Sequence, residues 1–332
     1  MSADLQDESL SPAWQRWAID NLARGVKPAA VIARLVQEGL SQPSAELALA
    51  TLWASGAIDL LRESRAETAR LALLARMQRT LQHSAMDPKT VVRTRDVSAS
   101  QFFDHYYAHN VPVVLEGFAA QWPACAKWSP EYFRTTLGHL EVEACLGRDR
   151  DPKYDQNFRA HTQRMVMSEF ADRVIAAGES NDLYLIANNR NMDRAPMASL
   201  YDDCDWSHGL LNRARVEQSV ALWFGPSGTV TPLHHDTTNI LFCQIYGQKR
   251  VLLAHPAETA LRRGGTGVYS IFDPESPGPD DPKVLYKTAV LNPGDALLIP
   301  VGWWHHVRAL SISINIAFAN FARPNDFAWF TP

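Results

Sequence analysis

The stretch "TPLHHDTTN", residues 231–239, sets two histidines side by side with an aspartate directly after them, and "GWWHH" supplies a second pair, His305 and His306. In an extended strand side chains alternate between faces, so His234 and Asp236 project to one side and His235 to the other. A His-x-Asp pair offers a metal ion one imidazole nitrogen and one carboxylate oxygen. By itself that pattern is also an ordinary polar turn at the start of a strand, and ligation needs a third donor. The distal candidates lie in "LNPGDALLIPVGWWHHV", where Asn-Pro-Gly-Asp makes a tight turn, "ALLIP" a buried strand and Gly302 a bend before both histidines.

Two histidines and one carboxylate, occupying three positions of a metal and leaving three open, compose the facial triad of non-haem iron(II) oxygenases. Two open positions accept a bidentate 2-oxo acid and the third accepts oxygen. The surrounding sequence is similar to one such family. "GTVTPLHHDTTNILFCQIYGQKRVLLAHP", together with "NPGDALLIPVGWWHHV", resembles the Jumonji C hydroxylases, the cupin-like 2-oxoglutarate oxygenases that include the asparaginyl hydroxylase acting on hypoxia-inducible factor and related arginyl hydroxylases. Upstream, "VPVVLEGFAAQWPACAKWSPEYF" resembles the segment that opens that domain, and the likeness covers Thr94 to Arg323.

By position, the resemblance implies iron(II) ligands at His234, Asp236 and His305, the first histidine of each pair. It places Thr231 against the 2-oxoglutarate cosubstrate and Lys249 of "YGQKR" opposite its distal carboxylate, a charge-assisted contact suited to a half-dry pocket. Tyr184 of "DLYLIANN" matches a tyrosine bonded to the same carboxylate. Taken alone, Lys249 reads as a solvated hairpin charge and Tyr184 as a core aromatic. Two positions depart from the family pattern. Where the named relatives carry an asparagine six residues after the first ligand, this chain has Ile240, with Asn239 one place earlier as the candidate for the cosubstrate pocket. Asn315 of "SISINIAF" matches a strand asparagine of the asparaginyl hydroxylase, after a shorter loop. Trp303 and Trp304 read as structural residues closing the barrel end.

The reaction implied is hydroxylation of a C–H bond in a protein or peptide side chain, with release of succinate and CO2. Attack on an N-methyl group would end in demethylation. The acidic run Met192–Gly209 is a candidate to meet a basic substrate side chain, against the plainer reading of a polar loop. A small molecule or a tRNA base is the alternative substrate. Other classes are a metal-binding cupin without oxygenase activity, which would not need Thr231, Tyr184 and Lys249, and an interaction scaffold built on the N-terminal helices.

These side chains must be held by a mainly β framework. After Val91 come short β-rich runs bounded by Gly, Pro, Asn or Asp, among them "VPVVLEGF", "SVALWFG", "NILFCQIYG" and "LSISINIAF", interrupted by helical "SPEYFRTTLG" and "SEFADRVIAAG". The pattern suggests an all-β barrel or jelly roll decorated by helices, and the resemblance implies a double-stranded β-helix over residues 94–323. Ahead of it, residues 1–84 read as helical: three short amphipathic helices that start near Ser or Pro and end near Gly, then a longer one from Ala57 to about Gln82 whose arginines form a solvated face. "HSAMDPKT" is the expected linker and 324–332 a C-terminal tail. "GGTGVYSIFDPESPGPDDP", residues 264–282, cannot continue a strand and is either a mouth loop or a surface insertion.

With 332 residues, 46% of them hydrophobic, the chain is long enough for one large domain and a smaller one. A net charge of −4 supplies no general field for DNA or anionic membrane. No run approaches the roughly 18 apolar residues of a membrane span. Four cysteines without CxxC spacing fit a reducing cytoplasm rather than a disulfide framework. The N-terminal helices are expected either to form a homodimer interface or to cover the barrel.

Overall fold

In a computed structural model, which describes residues 10–327, the chain divides into two units between Gln78 and Arg79. That division falls inside the fourth helix rather than in the segment "HSAMDPKT" that follows it. The tail expected over 324–332 lies partly outside the described residues.

The first unit is built from α1 (Pro12–Ala23), α2 (Pro28–Gln37), α3 (Gln42–Ala54) and most of α4 (Ala57–His83), up to Gln78. Each of the first three begins with Pro in its opening positions, where the missing N–H costs nothing. The Ser11 and Ser41 hydroxyls accept from the Trp14 and Ser44 amides and cap α1 and α3. Trp14, Leu22, Val31, Leu35, Leu49 and Ile58 form its core. Beyond Ile58, α4 leaves Leu60, Leu71, Leu73 and Leu74 exposed with Arg70 and Arg76, while Arg65 pairs with Asp20 and Arg79 with Glu258, so the solvated face expected for the arginines is only part of their role.

The second unit holds the β framework. A six-stranded sheet runs in the order β1 (Val92–Thr94), β2 (Val113–Leu115), β11 (Ala296–Ile299), β8 (Ile240–Tyr246), β13 (Ser313–Phe318), β6 (Val220–Gly225), and a four-stranded sheet in the order β10 (Lys287–Leu291), β9 (Lys249–Ala254), β12 (Trp304–Ala309), β7 (Val230–His235). All pairings within them are antiparallel except β1 with β2. Crossovers between the two sheets give the β-sandwich of a jelly roll. A third, small sheet joins β3 (Glu141–Leu146), β4 (Thr162–Val166) and β5 (Leu183–Tyr184) in the order β4-β3-β5. Strand β4 was not marked by the sequence, because "TQRMV" is polar and mostly exposed.

The inner strands of the larger sheet, β2, β11, β8 and β13, are buried on both faces, which is why "ILFCQIY" reads as a continuous apolar run rather than an alternating one. Leu241, Cys243 and Ile245 of β8 pack with Phe133, Phe170 and Val174 from the helical stretches on one face. Phe242 points the other way and meets Val251, Leu253 and Val307 of the smaller sheet. Toward one end of the sandwich the two sheets part around a cavity of about 980 Å³.

Candidate metal and cosubstrate site

Strands β7 and β12 are neighbours, with His234 paired directly to His305. The next pair is Val307 with Thr231, so a step of two residues on β12 is matched by three on β7. This bulge, at Pro232, reverses the alternation: Thr231 and His234 both line the cavity, where a regular strand would set them on opposite faces. Asp236 follows in the turn after β7, and its carbonyl accepts from the Gly302 amide at 3.0 Å. Gly302 adopts φ 79°, a left-handed conformation that a side chain would strain. The two ligand-bearing segments are thereby stitched together at the level of the site.

One donor atom from each of His234, Asp236 and His305 lies within 4.8 Å of the other two. Each imidazole is held through Nδ1, bonded to the Pro232 carbonyl at 2.8 Å and the Trp303 carbonyl at 3.0 Å respectively. With the proton fixed on Nδ1, the Nε2 lone pairs face Asp236, at 3.9 Å from Oδ1 for His234 and 3.6 Å from Oδ2 for His305. Burial, with His234 beside it, pushes the His305 imidazole down to about 4 and keeps it neutral. Two imidazole Nε2 atoms and a carboxylate, close enough to converge on one ion, fit a divalent iron with one face left open. His235 lies on the other side of β7, edge-on to the Trp304 ring at 4.8 Å. His306 likewise faces away from the cavity, toward Glu275.

Deeper in the barrel, Lys249 is 1% exposed and donates to the Tyr184 hydroxyl and to Asn315 Oδ1, each at 2.6 Å. Burial, with Arg148 beside it, pulls its ammonium down to about 7. No carboxylate pairs with Lys249 among the described residues, and the Asn315 Nδ2 group is buried without a partner. A buried, uncompensated cation beside an orphaned donor is the complement of a carboxylate. Lys249 pairs with Ala309, four residues along β12 from His305, roughly 13 Å at strand rise, a span that a five-carbon diacid and a lysine side chain together cover. Gly225 makes room for this end: a Cβ there would lie 2.6 Å from the Tyr184 ring.

The sequence expectations thus come together at His234, Asp236, His305, Thr231, Tyr184, Lys249 and Asn315. Asn239 does not join them, a correction. It sits in the turn before β8, where its Oδ1 accepts from the Val301 amide and its Nδ2 donates to Asn325, so both ends of the amide are spent on bracing loops while Ile240 faces the cavity. The run Met192–Gly209 fits the plainer reading of a polar loop: Asp203 is bound by Lys127 and Trp128 and Asp205 by His208, while Asp193 lines the cavity. Trp303 donates to Asn110, and Trp304 packs with Leu233 and Leu261, both away from the cavity.

Sequence reasoning missed Arg148 and Asp155, which lie in the polar segment "GRDRDPKYDQ" with no periodic signal. Arg148, 1% exposed, donates to the Val230 carbonyl and lies over the Tyr154 and Tyr184 rings. Residues 264–282 are a mouth loop: Val268 and Tyr269 line the cavity.

Residues 99–324 match the model of the cupin-like domain family. The chain is 33% identical over 231 residues to lysine-specific demethylase 8 of Xenopus tropicalis, covering 67% of this chain and 50% of that protein. It is 27% identical over 235 residues to Jumonji C domain-containing protein 5 of Drosophila melanogaster (67% and 57%), and 24% identical over 253 residues to the human bifunctional peptidase and (3S)-lysyl hydroxylase JMJD7 (65% and 79%). The chain spans about half the length of the first of these relatives. A jelly roll that pairs His234 with His305 at its open end, matched to the cupin-like model and to relatives of both demethylase and hydroxylase name, makes this chain a member of the Jumonji C family of iron(II)- and 2-oxoglutarate-dependent oxygenases.

Proposed function

We propose that this protein hydroxylates a C–H bond of a protein or peptide side chain, using iron(II) at His234, Asp236 and His305 and 2-oxoglutarate anchored by Lys249. The observation that carries the reading is the pairing of two features: three convergent donors on the cavity, and, behind Tyr184 of its lining, a buried lysine with which no carboxylate pairs among the described residues. A metal-binding cupin of another class has use for the first and none for the second. When bound, iron(II) would activate O2 at the expense of 2-oxoglutarate, one oxygen atom ending in succinate as CO2 is released and the other in the substrate C–H bond.

The chain's own residues do the rest. His234 and His305 present Nε2 atoms oriented by the bonds of Nδ1 to backbone carbonyls. Lys249, Tyr184, Asn315 and Thr231 orient the cosubstrate. Phe242, Ile240, Trp223 and Val307 line the space with apolar surface that limits water near the reacting carbon. Hydroxylation of a side chain has support from the JMJD7 relative, whose name states a lysyl hydroxylase. Relatives named lysine-specific demethylases support the second outcome, in which the attacked carbon is an N-methyl.

The test is direct. Under anaerobic conditions, iron(II) and 2-oxoglutarate should produce a visible charge-transfer band that Lys249→Met weakens and His234→Ala abolishes. Mass spectra of host proteins and peptides treated with the active enzyme should then show a gain of one oxygen for hydroxylation, or the loss of a methyl group for demethylation. A folded, iron-loaded protein with no band defeats the proposal.

A further inference from the structure

Residues 264–282 form a strap rather than a free loop. Val268 to Ser270 lie along the edge of β7 as an extra strand: the His235 amide donates to the Val268 carbonyl at 3.1 Å and the Ser270 amide to the Leu233 carbonyl at 2.9 Å, with Tyr269 bridged to His234. This pairing sets the Tyr269 ring against the His234 ring, with centroids 5.6 Å apart and planes inclined by 26°. On its other side His234 meets His305 at 4.1 Å. The Tyr269 hydroxyl donates to Asp155 Oδ2 at 2.8 Å, across the cavity wall. Asp155 is 7% exposed, and its other oxygen stands 3.7 Å from the Arg148 guanidinium, which in turn lies over the Tyr184 ring that meets Lys249.

We infer that Tyr269 is a positioning residue with two separable parts: its ring fixes the plane of His234, and its hydroxyl, locked to Asp155, holds the strap shut over the metal face. The inference rests on His234 being a metal ligand, as in the function proposed above. A ring clamped between Tyr269 and His305 loses the rotation that would turn Nε2 away from Asp236. The bond of Nδ1 to the Pro232 carbonyl opposes the same rotation, and the Tyr269 ring adds a second restraint against the imidazole. The hydroxyl has a different task, since it spans two segments of chain that share no strand pairing.

Two variants separate the parts. Tyr269→Phe keeps the ring and loses the bond to Asp155; Tyr269→Leu loses both. In the full chain, the affinity for cobalt(II), followed by its visible spectrum, should stay within about threefold of wild type in Tyr269→Phe and fall about tenfold or more in Tyr269→Leu, the size of effect that residues orienting a metal ligand typically have. Limited proteolysis within 264–282 should be faster than wild type in both variants by a similar factor. Circular dichroism spectra and melting curves establish that each variant is folded. Restoration of cobalt affinity by Phe over Leu, with no restoration of protease resistance, is the signature expected. Equal cobalt affinity in all three proteins overturns the ring's role, and unchanged cleavage in Tyr269→Phe overturns the hydroxyl's. If wild type and His234→Ala bind cobalt equally, it is the metal assignment that fails, and that outcome overturns the inference by removing its premise.

Discussion

His234 and His235 differ by one position in the chain and by the side of β7 they occupy. His234→Ala should therefore lower metal affinity more than about 100-fold, beyond the range seen for residues that only orient a ligand. His235→Ala should leave it nearly unchanged while costing about 2 kcal/mol of stability, because it opens space beside Trp304. Metal titration and denaturant unfolding of the two variants read the two effects apart. Lys249 gives a pH prediction. In the free protein burial sets its ammonium at about 7, and a carboxylate arriving beside it favours the charged form and raises that value. Below pH 7 the charge is already present and 2-oxoglutarate affinity is flat. Above pH 7 binding must take up a proton, so affinity falls by up to about tenfold per pH unit until the liganded pKa is reached. Calorimetry in buffers of different ionisation enthalpy measures the uptake, which Lys249→Met should abolish. His234 and Asp236 were legible as a same-face pair from strand alternation, whereas the choice of His305 over His306 came from the resemblance to the Jumonji C hydroxylases. Asp155 and Arg148 were not legible, since a polar loop residue acquires its partner only through the fold. Asn239 misled because the one-residue difference from its relatives moves it out of the strand and into the turn before β8.

Elements add what single residues cannot express. The bulge at Pro232 decides that Thr231 and His234 share the cavity, and alternation alone gives the opposite answer. The strap had only an ambiguous signal in its Gly, Pro and Asp content, which says that it is irregular but not where it lies. Its second anchor is Glu275, whose carboxylate is bound by Arg250 and, at 2.5 Å, by Arg308 Nε on the outer side of the smaller sheet. Burial alone would raise the Glu275 pKa, but the two guanidinium groups outweigh it and the value is lowered. The anchor's contribution is therefore complete above the ordinary glutamate range and is lost as pH falls through the depressed folded-state value. Glu275→Ala should speed proteolysis within 264–282 and destabilise the protein by about 1–2 kcal/mol, the arginines being only partly shielded from solvent. Protease digestion at pH 7 and chemical denaturation check both. Helices α1 to α3 were legible nearly to the residue, since Pro at the start and Gly at the end are local signals.

For the whole molecule, every residue assigned to the metal and the cosubstrate belongs to the second unit, from Arg79 onward. A barrel or jelly roll was readable from the number and spacing of the short strands, and the resemblance chose between them. The point of division was not readable, because it falls within a continuous helix whose sequence carries no break. The direct pairing of His234 with His305 has a consequence for the order of events during folding. The two histidines stand about seventy residues apart, and closing a loop of that size is paid in chain entropy before the strands reward it. Metal added to the unfolded chain therefore finds no site to nucleate, and binding follows barrel closure. Manganese(II) at about 100 times its dissociation constant should add about 2.7 kcal/mol of stability. Stopped-flow experiments should find that gain almost wholly in slower unfolding, with the refolding rate unchanged. A metal that arrives last is a metal whose loss leaves the barrel standing, so iron can exchange in the native state without the chain ever coming apart.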